Sequence, residues 1–220
     1  EGINSRIRHD GTQPVRWWLR SDCNGESAAA FALRWKLDGD ARSREVAANL
    51  VDWVYSASGL FQTDPREANC GLLFWAPDNR QALYQENDIK AILGGITCSA
   101  ALGSNRWDDA LARNLLGNFR TTGSLGFRNW RVENPELLAR GWQEYWRTPT
   151  VQLQPHYQAW MWAGYLWLYD KTRYQPLLTR TRHAIGMMMD AYPDRWRWTN
   201  GIQQRSEERR VGKECRSRWS

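Results

Sequence analysis

The sequence predicts an all-α protein built from about three helical hairpins, and three observations support this prediction. Segments with apolar residues at helical spacing alternate with breaks that are rich in Gly and Asp. Within each pair of segments, the first is more apolar all round than the second, which is amphipathic. The breaks inside the pairs read LDGDARSREV, LGSNRWDDAL and LYDKTRYQPL and recur about 65 residues apart. A fixed period of this kind marks repeat architectures.

The six predicted helices span residues 26–37, 42–57, 87–102, 107–120, 155–169 and 174–192. A helix that is apolar on every side is buried, whereas an amphipathic helix keeps one face in water. We therefore expect a ring with the first helix of each hairpin inside and the second outside, and an open solenoid is the competing arrangement. Six side chains at helical spacing are expected in the core: Trp160, Trp162, Trp167, Met187, Met188 and Met189.

Two long loops, residues 59–85 and 123–154, join the hairpins. Loops of this length are usually functional or disordered. Their many Phe, Tyr and Trp residues argue against disorder, because disordered segments are poor in aromatic residues. We therefore expect the loops to fold against the helices and to contribute to a functional site.

The net charge of the chain suggests a nucleic-acid partner only as long as residues 205–220 are counted. The net charge is +6, but residues 205–220 (RSEERRVGKECRSRWS) resemble a translated sequencing adapter and are interpreted as an artefactual, non-native tail. This tail holds six Lys/Arg and three Asp/Glu, so residues 1–204 carry 24 basic and 21 acidic residues, a net charge of +3. That value is unremarkable, and we expect residues 1–204 to be one truncated domain without a nucleic-acid partner.

Four stretches of the chain carry a resemblance to known proteins. They read SDCNGESAAAFALRWKLDGDARSREVAANLVDWVY, GLLFWAPDNRQALYQENDIKAILG, LGNFRTTGSLGFR and PHYQAWMWAGYLWLYDKT. Together they resemble bacterial six-hairpin glycosidase-like proteins, over nearly all of residues 1–204. The resemblance implies a partial (α/α)6 barrel, or toroid, in which inner and outer helices alternate and three of six hairpins are present. That superfamily includes glycoside hydrolases, unsaturated-glucuronyl hydrolases, lyase domains and sugar epimerases, so the resemblance does not name a substrate.

The candidate catalytic residues lie where the inner helices begin. Inner helices of such a barrel run in the same direction, so their N-termini collect at one end. The segments there read SDCNGES, YQENDIK and QPHYQAW and are rich in titratable groups. Glycoside hydrolysis needs two carboxyl groups whose environments separate their pKa values. We expect Asp88 to be one of them, and Glu86 or Asp22 to be the other.

The candidate substrate-binding residues are His156, Tyr157, Glu26, Asn87, Tyr84, Trp75, Arg128 and Trp198. Indole faces, including those of Trp130 and Trp146, pack against sugar rings, and Arg128 can pair with an anionic sugar. Structural alternatives stay open for all of them. Helix capping is the alternative for the Asp, Asn and Glu residues, and packing is the alternative for the aromatic residues and Arg128.

The sequence therefore predicts a glycoside hydrolase that acts on an oligosaccharide or polysaccharide by a two-carboxylate mechanism. A non-catalytic sugar-binding repeat, and a lyase or epimerase that uses His or Tyr as base, are the alternatives. No GxSxG, HExxH, Walker or GxGxxG motif is present. We expect no metal, no organic cofactor and no membrane partner, and the sequence indicates neither an oligomeric state nor a compartment.

Overall fold

The computed structural model describes residues 8–12, 19–192 and 195–196. Helices dominate this part of the chain, and the all-α prediction is confirmed. The helices are α1 (Ser21–Asp38), α2 (Ala41–Asp52), α3 (Gln85–Leu102), α4 (Asp108–Arg120), α5 (Asn134–Arg140), α6 (Trp142–Arg147), α7 (Pro155–Thr172) and α8 (Gln175–Asp190). Two short strands, β1 (Ala82–Tyr84) and β2 (Arg131–Glu133), pair antiparallel. Trp198 and residues 205–220 lie outside the described residues.

All six helices predicted from the sequence are present, with shifts at their ends. The largest shift is in α1, which begins at Ser21 rather than at Glu26. The main-chain amide of Ser21 donates to the carbonyl of Trp75 at 3.1 Å. Because this acceptor comes from a distant loop, the local pattern around α1 does not reveal it. At the end of α2 the helix widens into a π-helical turn over Trp53–Ala57.

Helix α3 lies between α1 and α7 and also packs against α4. Helices α1 and α3 approach so closely that their main chains touch. A Cβ atom on Gly25 would lie 2.5 Å from the Cα of Ala91, and one on Gly94 would overlap the carbonyl of Gly25. Only glycine allows this approach, because it has no Cβ. The contact places the first halves of α1 and α3 side by side.

The apolar core has two parts on either side of α3. The first packs α1 and α2 against α3 and the loop after α2, and it includes the buried side chains of Val51 and Leu72. The second packs α7 and α8 against α3 and α4, and it includes Leu115, Met161 and Leu177. Together they hold the beginnings of α1, α3 and α7 in fixed positions. No helix in the described ranges is long and apolar enough to cross a membrane.

The predicted core is correct in part. Trp162 and Met188 are buried, and Met187 is partly buried. The prediction is wrong for Trp160, Trp167 and Met189, which are 54%, 37% and 58% exposed. Helix α7 packs against α3 on one side and α8 on another, and its two exposed tryptophans lie on the side that neither helix covers.

The long loops contain structure that the sequence pattern did not predict. Strand β1 pairs with β2 in the register Leu83 to Val132 and Tyr84 to Arg131, which ties the two loops together. Helices α5 and α6 follow directly after β2. Strands of three residues are too short to produce a recognisable alternation of apolar and polar positions. Their pairing nevertheless brings Trp130 next to Tyr84, at the beginning of α3.

Candidate functional site

A pocket of about 190 Å³ lies where the beginnings of α1, α3 and α7 meet. We call it the aromatic pocket; it is lined by Arg20, Trp75, Tyr84, Glu86, Asn87, Trp130 and Tyr157. Arg20 directly precedes α1, Glu86 and Asn87 belong to the first turn of α3, and Tyr157 belongs to the first turn of α7. The three helix beginnings that the sequence placed at one end are therefore neighbours in the structure.

Two loop tryptophans are positioned by their own main chains. The carbonyl oxygen of Trp75 accepts a hydrogen bond from Ser21, the first amide of α1, at 3.1 Å. The carbonyl oxygen of Trp130 accepts one from Gln85, the first amide of α3, at 2.9 Å. The first amides of a helix have no acceptor within the helix, so these carbonyls replace side-chain caps. Trp75 is thereby held beside the beginning of α1, and Trp130 beside the beginning of α3.

The polar residues at the helix beginnings do not act as N-caps. Helices α1 and α3 have no side-chain cap, and Asn24 and Asn87 lie inside the helices. The capping interpretation is therefore wrong for these two asparagines, and Glu26 does not lie in the first turn of α1. Asn24 instead donates to the carbonyl of Arg20 at 2.7 Å. The buried Nδ2 of Asn87 has no hydrogen-bond acceptor among the described residues, and Asn87 is also one of the residues that line the pocket.

Aromatic rings form a continuous wall around the pocket. The ring centroids of Trp75 and Tyr84 lie 5.8 Å apart in an edge-to-face contact. Tyr84 and Trp130 follow at 5.9 Å, and Trp130 stacks on Tyr157 at 6.1 Å with an angle of 19° between the rings. Such contacts fix the orientation of each ring. Trp130 remains 38% exposed, so part of its surface is open to a ligand.

Two sets of ion pairs surround the pocket. The carboxylate of Asp22 accepts two hydrogen bonds from Arg20, at 3.1 and 2.5 Å. The ammonium of Lys90 lies 2.8 Å from Glu86 and 3.5 Å from Glu26. The side chain of Asp22 is 3% exposed and that of Glu86 is 39% exposed. Glu86 is therefore the carboxylate that a ligand in the pocket reaches, whereas Asp22 lies behind Arg20.

Asp88 does not line the aromatic pocket and is completely buried. Its Oδ1 accepts hydrogen bonds from the amide of Leu73 and from Nδ2 of Asn114, both at 2.9 Å. Burial raises the pKa of Asp88 to about 6, although the charge of Arg128 and these hydrogen bonds act in the opposite direction. In this structure Asp88 connects α3 to α4 and to the loop after α2.

A buried polar network continues from Asp88. Nδ2 of Asn114 also donates to the carbonyl of Gly71 at 2.8 Å, and its Oδ1 accepts from the hydroxyl of Tyr55 at 3.1 Å. Arg128 is 1% exposed, and its Nε donates to Thr121 Oγ1 at 2.8 Å. Burial lowers the pKa of Arg128, and the charge of Asp88 counteracts this. Arg128 therefore lies inside the protein in this structure and does not line the pocket.

His156 lies at the edge of the pocket, with its ring centroid 4.1 Å from that of Tyr157. Burial lowers the pKa of His156 below its ordinary value, and the charge of Glu86 partly counteracts this. The imidazole is therefore neutral at neutral pH, and a neutral imidazole can accept a proton.

The structure thus separates the predicted site residues into groups. The pocket is lined by Trp75, Tyr84, Glu86, Asn87 and Tyr157. Asp22, Glu26 and His156 lie next to it, Asp88 and Arg128 belong to the buried network, and Trp198 lies outside the described residues. Arg20 was not among the site residues predicted from the sequence. The only feature of the sequence that points to it is its position as a cationic residue directly before SDCNGES.

No model of a known protein family matches the chain, and no curated protein matches it either. Within residues 8–12, 19–192 and 195–196, no group of three His, Cys, Asp or Glu side chains is placed to hold a metal ion. The function is therefore argued from the chemistry of the aromatic pocket.

Proposed function

We propose that this protein is carbohydrate-active, that the aromatic pocket receives one sugar ring, and that the reaction is hydrolysis of an oligosaccharide. The observation that carries the proposal is the composition of the pocket: aromatic rings together with the accessible carboxylate of Glu86 and the buried amide of Asn87. Aromatic faces pack against the C–H face of a sugar, and the polar groups fix its hydroxyls. A volume of about 190 Å³ is below the range for drug-sized ligands and fits a single ring.

The arrangement of the helices supports the same proposal. We assign the chain to the six-hairpin glycosidase-like superfamily, with α1, α3 and α7 as inner helices and α2, α4 and α8 as outer helices of a partial (α/α)6 barrel. In support, α3 packs between α1 and α7, and each of the three packs against the helix that follows it in its hairpin. The shared pocket at the beginnings of the inner helices fits the open end of such a barrel.

In this proposal Glu86 is the carboxyl group that contacts the sugar, and Asp22 is the second carboxyl group of the pair. Hydrolysis needs one carboxylic acid and one carboxylate within roughly 5–10 Å of each other. Each of the two carboxyl groups is paired with a cation, Glu86 with Lys90 and Asp22 with Arg20. Asp88 supports the beginning of α3 from inside the protein.

Specific observations favour two second candidates. The carboxylates of Glu86 and Asp22 are both engaged in ion pairs, which favours a sugar-binding role without catalysis. The neutral imidazole of His156 against Tyr157 favours a lyase or an epimerase, because these reactions need a base that removes a proton from carbon.

Binding is tested by isothermal titration calorimetry with a panel of neutral and uronic-acid oligosaccharides. Trp130→Ala removes a stacking face and is expected to weaken binding about tenfold or more. Trp160→Ala is the matched control, because Trp160 is exposed but lies on α7 outside the pocket. The proposal fails if no glycan binds, or if both variants change the affinity equally.

The reaction is tested on any glycan that binds. Hydrolysis releases reducing ends, a lyase creates a conjugated double bond that absorbs in the ultraviolet, and a binding protein does neither. Glu86→Gln is expected to lower the rate of hydrolysis by about 10²- to 10⁴-fold. Glu136→Gln is the matched control, because Glu136 forms the same type of helical ion pair, with Arg140 at 3.2 Å. An equal rate in the two variants would exclude Glu86 as a catalytic residue.

A further inference from the structure

A second cavity, of about 770 Å³, lies between α4, α6, the end of α7 and the beginning of α8. We call it the α4–α8 cavity. Its walls are mainly apolar and include Leu116, Phe119, Trp142, Trp146, Tyr174 and Leu177. It shares no lining residue with the aromatic pocket. Its volume is within the range of small-molecule sites, which are concave and mostly apolar with a few placed polar groups.

Ring contacts and hydrogen bonds hold the aromatic wall of this cavity. The ring of Phe119 makes edge contacts with Trp146 at 5.2 Å and with Tyr174 at 6.4 Å. The guanidinium of Arg180 lies 3.2 Å from the centroid of the Trp146 ring and donates to the carbonyls of Thr122 and Trp146, at 3.1 and 3.3 Å. Trp146 is thereby held in position, and an ordered wall lowers the entropic cost of binding a ligand.

The charged side chains that line the cavity are all basic. Arg120 and Arg147 line the cavity, and no Asp or Glu does. Arg120 donates to the carbonyl of Cys70 and lies over the ring of Trp142 at 5.4 Å. Arg147 is exposed, and in the described part of the chain neither arginine forms an ion pair with a carboxylate. An arginine on a mostly apolar wall is suited to an anionic head group, because guanidinium binds carboxylates with two parallel hydrogen bonds.

We infer that the α4–α8 cavity binds one amphiphilic anion, a medium-chain fatty carboxylate, with its tail along the aromatic wall and its carboxylate on Arg147. The size of the cavity accommodates an alkyl chain, and the absence of acidic lining residues selects against a cationic head group. This inference does not depend on the proposed function, because the two sites share no lining residue.

Two amphiphiles of equal chain length and opposite charge test the inference. Decanoate and decyltrimethylammonium are titrated separately into the full chain below their micellar concentrations. The heat of binding is measured by isothermal titration calorimetry. Decanoate is expected to bind one molecule per chain, and the cation is expected to bind at least about tenfold more weakly. Equal affinities would show a purely apolar site and would overturn the inference, as would the lack of any decanoate binding.

Matched variants locate the site. Leu116→Glu places a carboxylate at the cavity wall and is expected to abolish decanoate binding, whereas Leu138→Glu on α5 is expected to leave it unchanged. The two leucines are 40% and 43% exposed, so both changes are compatible with folding. Arg147→Gln is expected to weaken binding about tenfold, and Arg182→Gln, on an exposed part of α8, is the control.

Further outcomes separate this site from the alternatives. Trp130→Ala is expected to leave decanoate binding unchanged, since Trp130 belongs to the aromatic pocket. Sedimentation at increasing protein concentration tests whether a second copy of the chain occupies the cavity. The inference would be overturned if the wild-type chain formed a dimer that bound no decanoate and if Leu116→Glu made this dimer dissociate.

Discussion

Gly25 and Gly94 bring the main chains of α1 and α3 into direct contact. A Cβ atom on Gly94 would overlap the carbonyl group of Gly25. Because this contact holds the beginnings of two of the three helices that form the aromatic pocket, it links the stability of the helix pair to the shape of the site. The first prediction tests this contact.

Gly94→Ala is expected to destabilise the protein by about 3 kcal/mol, because the added methyl group meets backbone that cannot move independently. The measurement is urea unfolding followed by circular dichroism. Gly186→Ala is the matched control: a Cβ there meets no atom within 4 Å. Removing a glycine from the interior of α8 is expected to stabilise the protein by about 0.5–1 kcal/mol. Similar effects of the two changes would contradict the close helix contact.

Asn114→Ala tests the buried network between α3 and α4. The change removes the donor to Asp88 and to the carbonyl of Gly71, and the acceptor for the hydroxyl of Tyr55. Buried polar groups without partners are costly, so we expect a loss of about 2–4 kcal/mol in the free energy of unfolding. Asn105→Ala, at an exposed position, is expected to change stability by less than about 0.5 kcal/mol. A loss below 1 kcal/mol for Asn114→Ala would mean that the network contributes little.

The raised pKa of Asp88 predicts a pH dependence of stability with a definite sign. Between its ordinary value of 3.8 and about 6, the folded protein binds a proton that the unfolded chain does not. The contribution of Asp88 therefore decreases as the pH rises through this window, by roughly 3 kcal/mol in total. Urea unfolding from pH 4 to pH 8 is expected to show this decrease in the wild type relative to Asp88→Asn.

Asp40→Asn provides the contrast for that experiment. The hydrogen bond from Ser43 lowers the pKa of Asp40, so its contribution is present above the ordinary value of 3.8 and is lost as the pH falls. The difference between wild type and Asp40→Asn is therefore expected to stay nearly constant from about pH 5 to pH 8 and to decrease only as the pH falls towards and below 3.8. The same slope in both comparisons would contradict the assignment of the raised pKa to Asp88.

The coupling between His156 and Glu86 is measurable by nuclear magnetic resonance. Burial lowers the pKa of His156, and the charge of Glu86 raises it. Glu86→Gln removes that charge and is expected to lower the pKa of His156 further. The measurement follows the imidazole Cε1–H resonance with pH, assigned by its loss in His156→Gln. Glu136→Gln is expected to leave the titration of His156 unchanged. If Glu86→Gln also left it unchanged, the charge of Glu86 would have no measurable effect on the pKa of His156.

Elements with a strong local pattern were predictable from the sequence. The six long helices carry many apolar positions at helical spacing, and breaks such as Asp38–Asp40 end them clearly, so their existence was predicted correctly. The sequence also placed the candidate site residues at the beginnings of α1, α3 and α7, because polar side chains stand out before apolar helices, and a pocket lies at these beginnings.

The same local pattern does not distinguish neighbouring polar residues from each other. Glu86 and Asp88 are two positions apart in one helical turn, yet Glu86 reaches the pocket and Asp88 is completely buried. Positions two apart point to different sides of a helix, and what covers each side comes from other parts of the chain. Here Leu73 and Asn114 bind Asp88, and neither is close to it in sequence.

The sequence by itself determined the helical character of this protein and the segments from which its candidate site is built, since both depend on local periodicity and composition. Only the tertiary structure decided which side chains share the pocket. Trp75 and Trp130 line it because their carbonyls bind the first amides of α1 and α3. Those hydrogen bonds join segments that are far apart in the chain, and such contacts depend on how the helices pack.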